Sequence, residues 1–268
     1  MKKAVYFLMV FSFASMLPSV LFSQTDQKLN IPLSKPGSAG HLKIGLLYGS
    51  ITVNAHSGDD VIIETKGKSK KVDRVTSNGL KKISNSSGGF SVEEDDNNVV
   101  IRSKANNHKM DFYITVPSNF SLKLSAVNNG NIYVKGVNGD MEISNTNGAI
   151  TLENIGGSVI ADALNRDILV TFDSVNQDAP MAFTSLNGNL DVTFPSDFKC
   201  DIKARTENGN IYTDFEMTEK STSDVKKSRN SNGIYKVTVD KWVAGEINGG
   251  GPEMLFKTLN GNVLIRKK

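Results

Sequence analysis

The chain has 268 residues, 22% of them charged and 38% hydrophobic, so it is neither a disordered chain nor a polytopic membrane protein. Its formal charge of +3 includes Lys2 and Lys3, so the chain without its first residues carries 3 − 2 = +1, which gives it no electrostatic reason to seek nucleic acid. Its single cysteine excludes an intramolecular disulfide and a cysteine-based zinc site.

Residues 1–23 read as a signal peptide. Lys2 and Lys3 form the positive start, Ala4 to Phe22 is uncharged and almost wholly apolar, and Ser23 precedes polar Gln24. The apolar run of 19 residues is long enough to cross a bilayer uncleaved, while Pro18 and Ser23 favour cleavage. No cysteine follows the run, so a lipid anchor on cysteine is excluded. The expectation is an exported protein (periplasmic, surface-borne or secreted) with no membrane insertion after cleavage.

Residues 24–39 form an N-terminal extension, and 40–268 read as one β-repeat domain. Gly49-Ser50-Ile51-Thr52-Val53 looks like a first repeat copy, and Val61-Ile62-Ile63-Glu64 like a simple strand. Residues 66–89, rich in Lys, Ser, Gly and Asn, are expected to be a mobile loop. Glu93-Glu94-Asp95-Asp96 followed by Asn97-Asn98 reads as a hairpin tip between Phe90-Ser91-Val92 and Val99-Val100-Ile101. Phe112 to Val116 is a further strand.

From Asn129 to Asp173 the chain divides into five nonamers: NGNIYVKGV, NGDMEISNT, NGAITLENI, GGSVIADAL and NRDILVTFD. Their fourth and sixth positions are Ile132/Val134, Met141/Ile143, Ile150/Leu152, Val159/Ala161 and Ile168/Val170, all apolar. The seventh positions are all polar. This is period-two alternation over short strands, each followed by a turn. One such unit cannot bury its apolar face, but stacked units share a core. The predicted fold is all-β, a single-domain β-solenoid or β-roll-like repeat with nine-residue units. The unit returns at Asn187-Gly188, Asn208-Gly209 and Asn260-Gly261, with a second expected mobile loop over 216–233 and a strand at Tyr235 to Val239.

Asparagine occurs 27 times and precedes nine of the 23 glycines. Asn-Gly suits turns that need positive φ at both central positions, so the enrichment reads as a repeated turn device. The column Asn129, Asn138, Asn147 and Asn165 is expected to stack at one solenoid corner and to hydrogen-bond along the axis.

Several landmarks follow one another in a particular order. Thr115-Val116-Pro117 and Ser121-Leu122-Lys123-Leu124 come first, then the Asn-Gly-x-Ile units. Asp191-Val192-Thr193-Phe194-Pro195 follows, then Arg205-Thr206-Glu207-Asn208-Gly209-Asn210-Ile211. Asn248-Gly249-Gly250-Gly251-Pro252 and Thr258-Leu259-Asn260-Gly261-Asn262-Val263 close the series. From about Ile44 onwards this resembles the DUF4097 adhesin-like family of exported bacterial β-repeat proteins. Asn165-Arg166 departs from the pattern at one turn. The resemblance implies an envelope or secreted location and a β-repeat fold, and it brings no catalytic residue set.

Calcium-binding β-rolls place an aspartate at the sixth position of a nine-residue unit. Here that position holds Val134, Ile143, Leu152, Ala161 and Val170, and hydrocarbon ligates no metal. Asp140 and Asp167 share the third position and read as turn residues capping their own backbone. The basic run Lys66 to Lys71 and the acidic run Glu93 to Asp96 read as solvated loops. His41, His56 and His108 show no metal or catalytic spacing. Cys200 lies in an alternating apolar stretch and reads as a small core residue. No catalytic, cofactor-binding or metal site is predicted.

The expected function is a non-enzymatic, exported adhesin-like scaffold. Its partner would be a cell-surface polysaccharide, an envelope protein or further copies of itself. The alternatives are a carbohydrate-active enzyme on a β-helix, for which Glu142, Glu153 and Asp162 are the exposed acids of the nonamers, and an envelope stress or signalling accessory.

Overall fold

Alternating apolar residues make strands because successive side chains leave a strand on opposite faces, so every second one can be buried. A computed structural model describes residues 27–67, 89–104, 109–220, 223–229 and 235–268. The expected signal peptide 1–23, residues 68–88 of the first expected mobile loop with Lys68 to Lys71 of the basic run, residues 221–222 and 230–233 of the second expected loop, and His108 lie outside the described residues.

The N-terminal strands are β1 (Gln27–Pro32), β2 (Gly40–Tyr48), β3 (Ile51–His56), β4 (Asp60–Gly67), β5 (Phe90–Asp95), β6 (Asn98–Ser103) and β7 (Met110–Pro117). The repeat region holds β8 (Phe120–Asn128), β9 (Ile132–Lys135), β10 (Met141–Asn145), β11 (Ile150–Ile155), β12 (Val159–Ala163), β13 (Ile168–Phe172), β14 (Met181–Ser185) and β15 (Leu190–Phe194). There follow β16 (Cys200–Asn208), β17 (Ile211–Thr213), β18 (Met217–Lys220), β19 (Ser223–Arg229), β20 (Tyr235–Lys241), β21 (Val243–Ile247), β22 (Glu253–Asn260) and β23 (Val263–Lys267). No helix occurs among the described residues.

Two large sheets pack face to face. One has ten strands in the order β1-β4-β7-β3-β9-β11-β13-β15-β23-β17, the other eleven in the order β18-β21-β16-β22-β14-β12-β10-β8-β2-β6-β5. β19 and β20 form a separate antiparallel pair. The interior strands are parallel, and antiparallel β1, β4 and β5 at one end and β18 and β21 at the other cap the stack, which blunts its open edges.

The nonamers alternate between the sheets. Ile132, Ile150 and Ile168 pair in register in the ten-stranded sheet, as Met141 and Val159 do in the other. Stacked neighbours are therefore 150 − 132 = 18 residues apart, and nine residues is the step from one sheet across to the other. The ten residues at the fourth and sixth positions are all buried, and the core between the sheets is continuous from Leu33 to Ile265. Its C-terminal half is aromatic: Phe194 stacks on Phe198 at 4.5 Å and on Phe172 at 5.1 Å, with Phe183 on Phe256 at 5.2 Å.

Coils do not stack in chain order. The coil β6/β7 lies outside β2/β3, and β8/β9 joins the opposite side of β2/β3. At the other end β22/β23 inserts between β14/β15 and β16/β17. Part of the expected extension forms the edge strand β1, and the loop expected at 216–233 contains β18 and β19, each paired to another strand. The hairpin tip is as expected: Asp96 and Asn97 take φ of 51° and 62°, the geometry of a tight two-residue turn.

Candidate binding faces

One long edge of the molecule is built by side chains that repeat from coil to coil. Asn147 donates to Asn128, Asn165 to Asn147, Asn187 to Asn165, Asn260 to Asn187 and Asn208 to Asn260, at 2.7–3.0 Å. The ladder includes Asn147 and Asn165 of the expected column but has Asn128 in place of Asn129, whose φ is 58°. Asn138 stands on the opposite edge, bridging to Gly156, since its nonamer feeds the other sheet.

The glycines of this edge, apart from Gly49 and Gly261 with φ of 128° and 151°, serve close approach rather than turn geometry. Among the described Asn-Gly pairs only Asn248-Gly249 has positive φ at both residues. Instead, a Cβ on Gly148 would stand 1.9 Å from the Gly130 carbonyl oxygen, one on Gly188 2.2 Å from that of Arg166, and one on Gly209 2.0 Å from that of Gly261. Three residues before most of these glycines a polar side chain holds the carbonyl of the neighbouring coil. Asn145 donates to Gly130 O, Ser185 to Arg166 O, Thr258 to Gly188 O and Thr206 to Gly261 O. Where Ala163 offers no donor, three residues on stands Arg166 instead of glycine, whereas Gly130 makes the close approach with apolar Val127 three residues before it. The Asn/Ser/Thr-x-x-Gly pairing is the sequence signal of this contact, and it is independent of positive φ.

The outer face of the ten-stranded sheet carries a cross-strand row: Tyr113, Thr52, Tyr133, Thr151, Leu169, Asp191, Leu264 and Tyr212 are partners in register. Large side chains thus recur on every second strand from Tyr113 to Leu264, about 10 Å apart at the usual strand spacing. Tyr212, next to Leu264, is 53% exposed. Tyr133 donates to Glu153 at 2.6 Å, which orients its ring and raises the phenol pKa. Lys66 Nζ lies 4.7 Å from the Tyr113 ring centre, and Arg266 forks onto Asp191 at 2.7 and 3.0 Å.

The exposed acids of the nonamers are divided between faces. Glu153 and Lys135 lie on the ten-stranded sheet, 3.8 Å apart, whereas Glu142 and Asp162 lie on the eleven-stranded one, with Glu142 held by Lys123 at 2.7 Å. Asp140 and Asp167 are on opposite edges. Asp140 accepts from Ser158 at 2.6 Å and Asp167 from the Asn189 amide at 2.7 Å, so each caps a neighbouring coil. The acidic tip also has structural work: Glu94 accepts from the amide and hydroxyl of Ser34, which holds its carboxyl below the usual range, and buried Asn97 exchanges hydrogen bonds with the Lys35 backbone.

Among the described histidines, His56 contacts the Asp60 carbonyl at 2.9 Å, and His41 has its pKa lowered by burial and then by Lys123 and Lys43. Cys200 is buried, and desolvation pushes its thiol up to about 12. No cluster of three or more His, Cys, Asp or Glu that could hold a metal occurs among the described residues.

A family model described as Toastrack DUF4097 matches residues 2–248. The crystal structure of a "putative cell adhesion protein" from Clostridium sporogenes ATCC 15579 is similar at 12% identity and a TM-score of 0.45, covering 91% of this chain and 100% of that one. No curated protein matches.

Proposed function

Because this chain belongs to the DUF4097 Toastrack family, we propose that it is an exported, non-enzymatic, adhesin-like scaffold whose ten-stranded face holds an extended cell-surface polysaccharide. The observation that carries this reading is the row running from Tyr113 to Tyr212 across eight strands. Tyrosine rings and aliphatic side chains offer apolar platforms to the faces of sugar rings, and the intervening Thr52, Thr151 and Asp191 offer hydrogen bonds to hydroxyls. The platforms recur at about two strand spacings, near 10 Å, which suits a periodic polymer lying across the strands better than a small molecule in a pocket. The rigid two-sheet core and the cross-coil hydrogen bonds hold the row in place. The apolar segment Ala4 to Phe22 supports export. Of the exposed nonamer acids only Glu153 is on the face that carries the row, since Glu142 and Asp162 share the other face, so the nonamers supply this face with no pair of carboxyl groups to flank one bond as glycoside hydrolysis needs.

The test is binding of the purified chain to envelope fractions and isolated wall polysaccharide, with and without protease treatment of the fractions. Binding should survive protease and fall about tenfold with Tyr133→Ala or Tyr212→Ala, the loss of about one ring-stacking contact. Binding abolished by protease would point to an envelope protein instead. Release of new reducing ends from the polysaccharide would overturn the non-enzymatic reading.

A further inference from the structure

The opposite face has a different chemistry, and its residues are arranged so that the face complements itself. Across five neighbouring strands, β10, β12, β14, β22 and β16, one outward row reads Glu142, Ile160, Ala182, Leu255, Lys203. The next reads Ser144, Asp162, Thr184, Lys257, Arg205. At the corner beyond, Leu164, Leu186 and Leu259 follow one another, tied by Asn187 N–H to Leu164 O and Asn260 N–H to Leu186 O. Ile160, at 56%, is the most exposed large apolar side chain among the described residues, and Leu164, Leu186 and Leu259 are about 40% exposed. A shallow groove of about 520 Å³ separates the leucines from Asp162, Thr184 and Lys257.

We propose that this face is the contact surface of a homodimer, in which two copies pack face to face about a two-fold axis running along β14. Such an axis exchanges the strands on either side of β14 and leaves positions along the strand unchanged. Ile160 then meets Leu255 of the other copy, Leu164 meets Leu259, and Ala182, Thr184 and Leu186 meet their own equivalents. Glu142 meets Lys203, and Asp162 meets Lys257. Acids stand only on the β10 and β12 side of these two charged rows and bases only on the β22 and β16 side, so every charge pair is of opposite sign. Each contact occurs twice, as a closed two-fold interface requires. Neither Asp162 nor Lys257 has an ion pair within its own chain among the described residues; Asp162 accepts only from the Thr184 hydroxyl.

The strands of the two copies run in the same direction, which is the aligned stacking that twisted sheets favour at about 10 Å separation. Five strands span about 24 Å. With three rows of side chains that is on the order of half the area of a standard stable interface, which places the dimer among weak, reversible associations. The dimer does not depend on the polysaccharide reading, because it uses the other sheet.

Sedimentation velocity of the full chain from about 1 to 500 µM tests this. The wild type should move from monomer to dimer. Asp162→Lys and Lys257→Asp should each weaken the dimer at least tenfold by placing like charges opposite one another, and the double exchange should restore it, because each new lysine then meets a new aspartate. Ile160→Asp should abolish it, and an unchanged far-ultraviolet spectrum will show that all four variants fold. A wild type monomeric throughout, single variants that dimerise normally, or a double variant no better than the singles would each overturn the proposal. Loss of polysaccharide binding in Asp162→Lys together with a monomeric wild type would reassign this face to the polymer.

Discussion

Alanine at Gly148 separates two explanations for the Asn-Gly enrichment, close approach and turn geometry. The new Cβ would lie 1.9 Å from the Gly130 carbonyl oxygen and 2.7 Å from Asn145 Nδ2. An ordinary carbon–oxygen approach is about 3.3 Å, so the coils must part by roughly 1.4 Å at this corner. That movement stretches the Asn145 bond to Gly130 O, now 3.1 Å, past useful length, while the 2.7 Å clash with Asn145 Nδ2 displaces the side chain that accepts from the Gly148 amide at 3.0 Å. Asn145 is only 2% exposed, so water does not replace these partners. Losing the two bonds costs about 1–3 kcal/mol, and the overpacking adds a further 1–3 kcal/mol. Two further substitutions serve as controls. Gly249 has φ of +90° and open space around its Cβ position, so alanine there meets only the left-handed penalty of about 1–2 kcal/mol. Gly89 has open space and no positive φ, and alanine should change stability by no more than about 0.5 kcal/mol. Urea denaturation followed by far-ultraviolet circular dichroism should rank the losses Gly148 first, Gly249 second and Gly89 last. A Gly249→Ala variant less stable than Gly148→Ala, or a Gly148→Ala variant as stable as Gly89→Ala, would refute the close-approach account.

Leu152 is fully buried and pairs with Val134 and Val170, so Leu152→Asp should prevent stable folding, whereas Glu153→Ala on the solvent side should cost about 1 kcal/mol or less through the lost Tyr133 contact; equal denaturation midpoints for the two would mean the strand register is wrong. The Cys200 thiol, pushed up to about 12 by burial, is almost wholly protonated at pH 8.5, where an exposed cysteine is about half thiolate. Iodoacetamide at that pH should leave the folded chain essentially unlabelled over a time that labels the denatured chain completely, and rapid stoichiometric labelling of the folded protein, read by mass spectrometry, would contradict the buried placement.

What the sequence determined by itself is local. Alternation at Ile132/Val134 through Ile168/Val170 specified strands and their buried faces, because side-chain direction along a strand depends only on residue spacing. The Asp96-Asn97 turn was legible for the same reason: its φ values are met by residues adjacent in the chain. Which strands become neighbours is decided elsewhere. Apolar units of similar length stack on one another about equally well in several orders, so nothing in the 260–263 unit said that it would slip between those at 187–190 and 208–211. Only the folded register shows that nonamers alternate between sheets, which sent Asp140 and Asp167 to opposite edges and Glu142 and Glu153 to opposite faces. The two faces, one with large side chains at every second strand from Tyr113 to Leu264 and one with charges of opposite sign about a central strand, are assembled from residues up to 264 − 52 = 212 positions apart along the chain, such as Thr52 and Leu264. Their chemistry exists only once hydrogen-bonded pairing and burial of the shared core have placed those strands side by side.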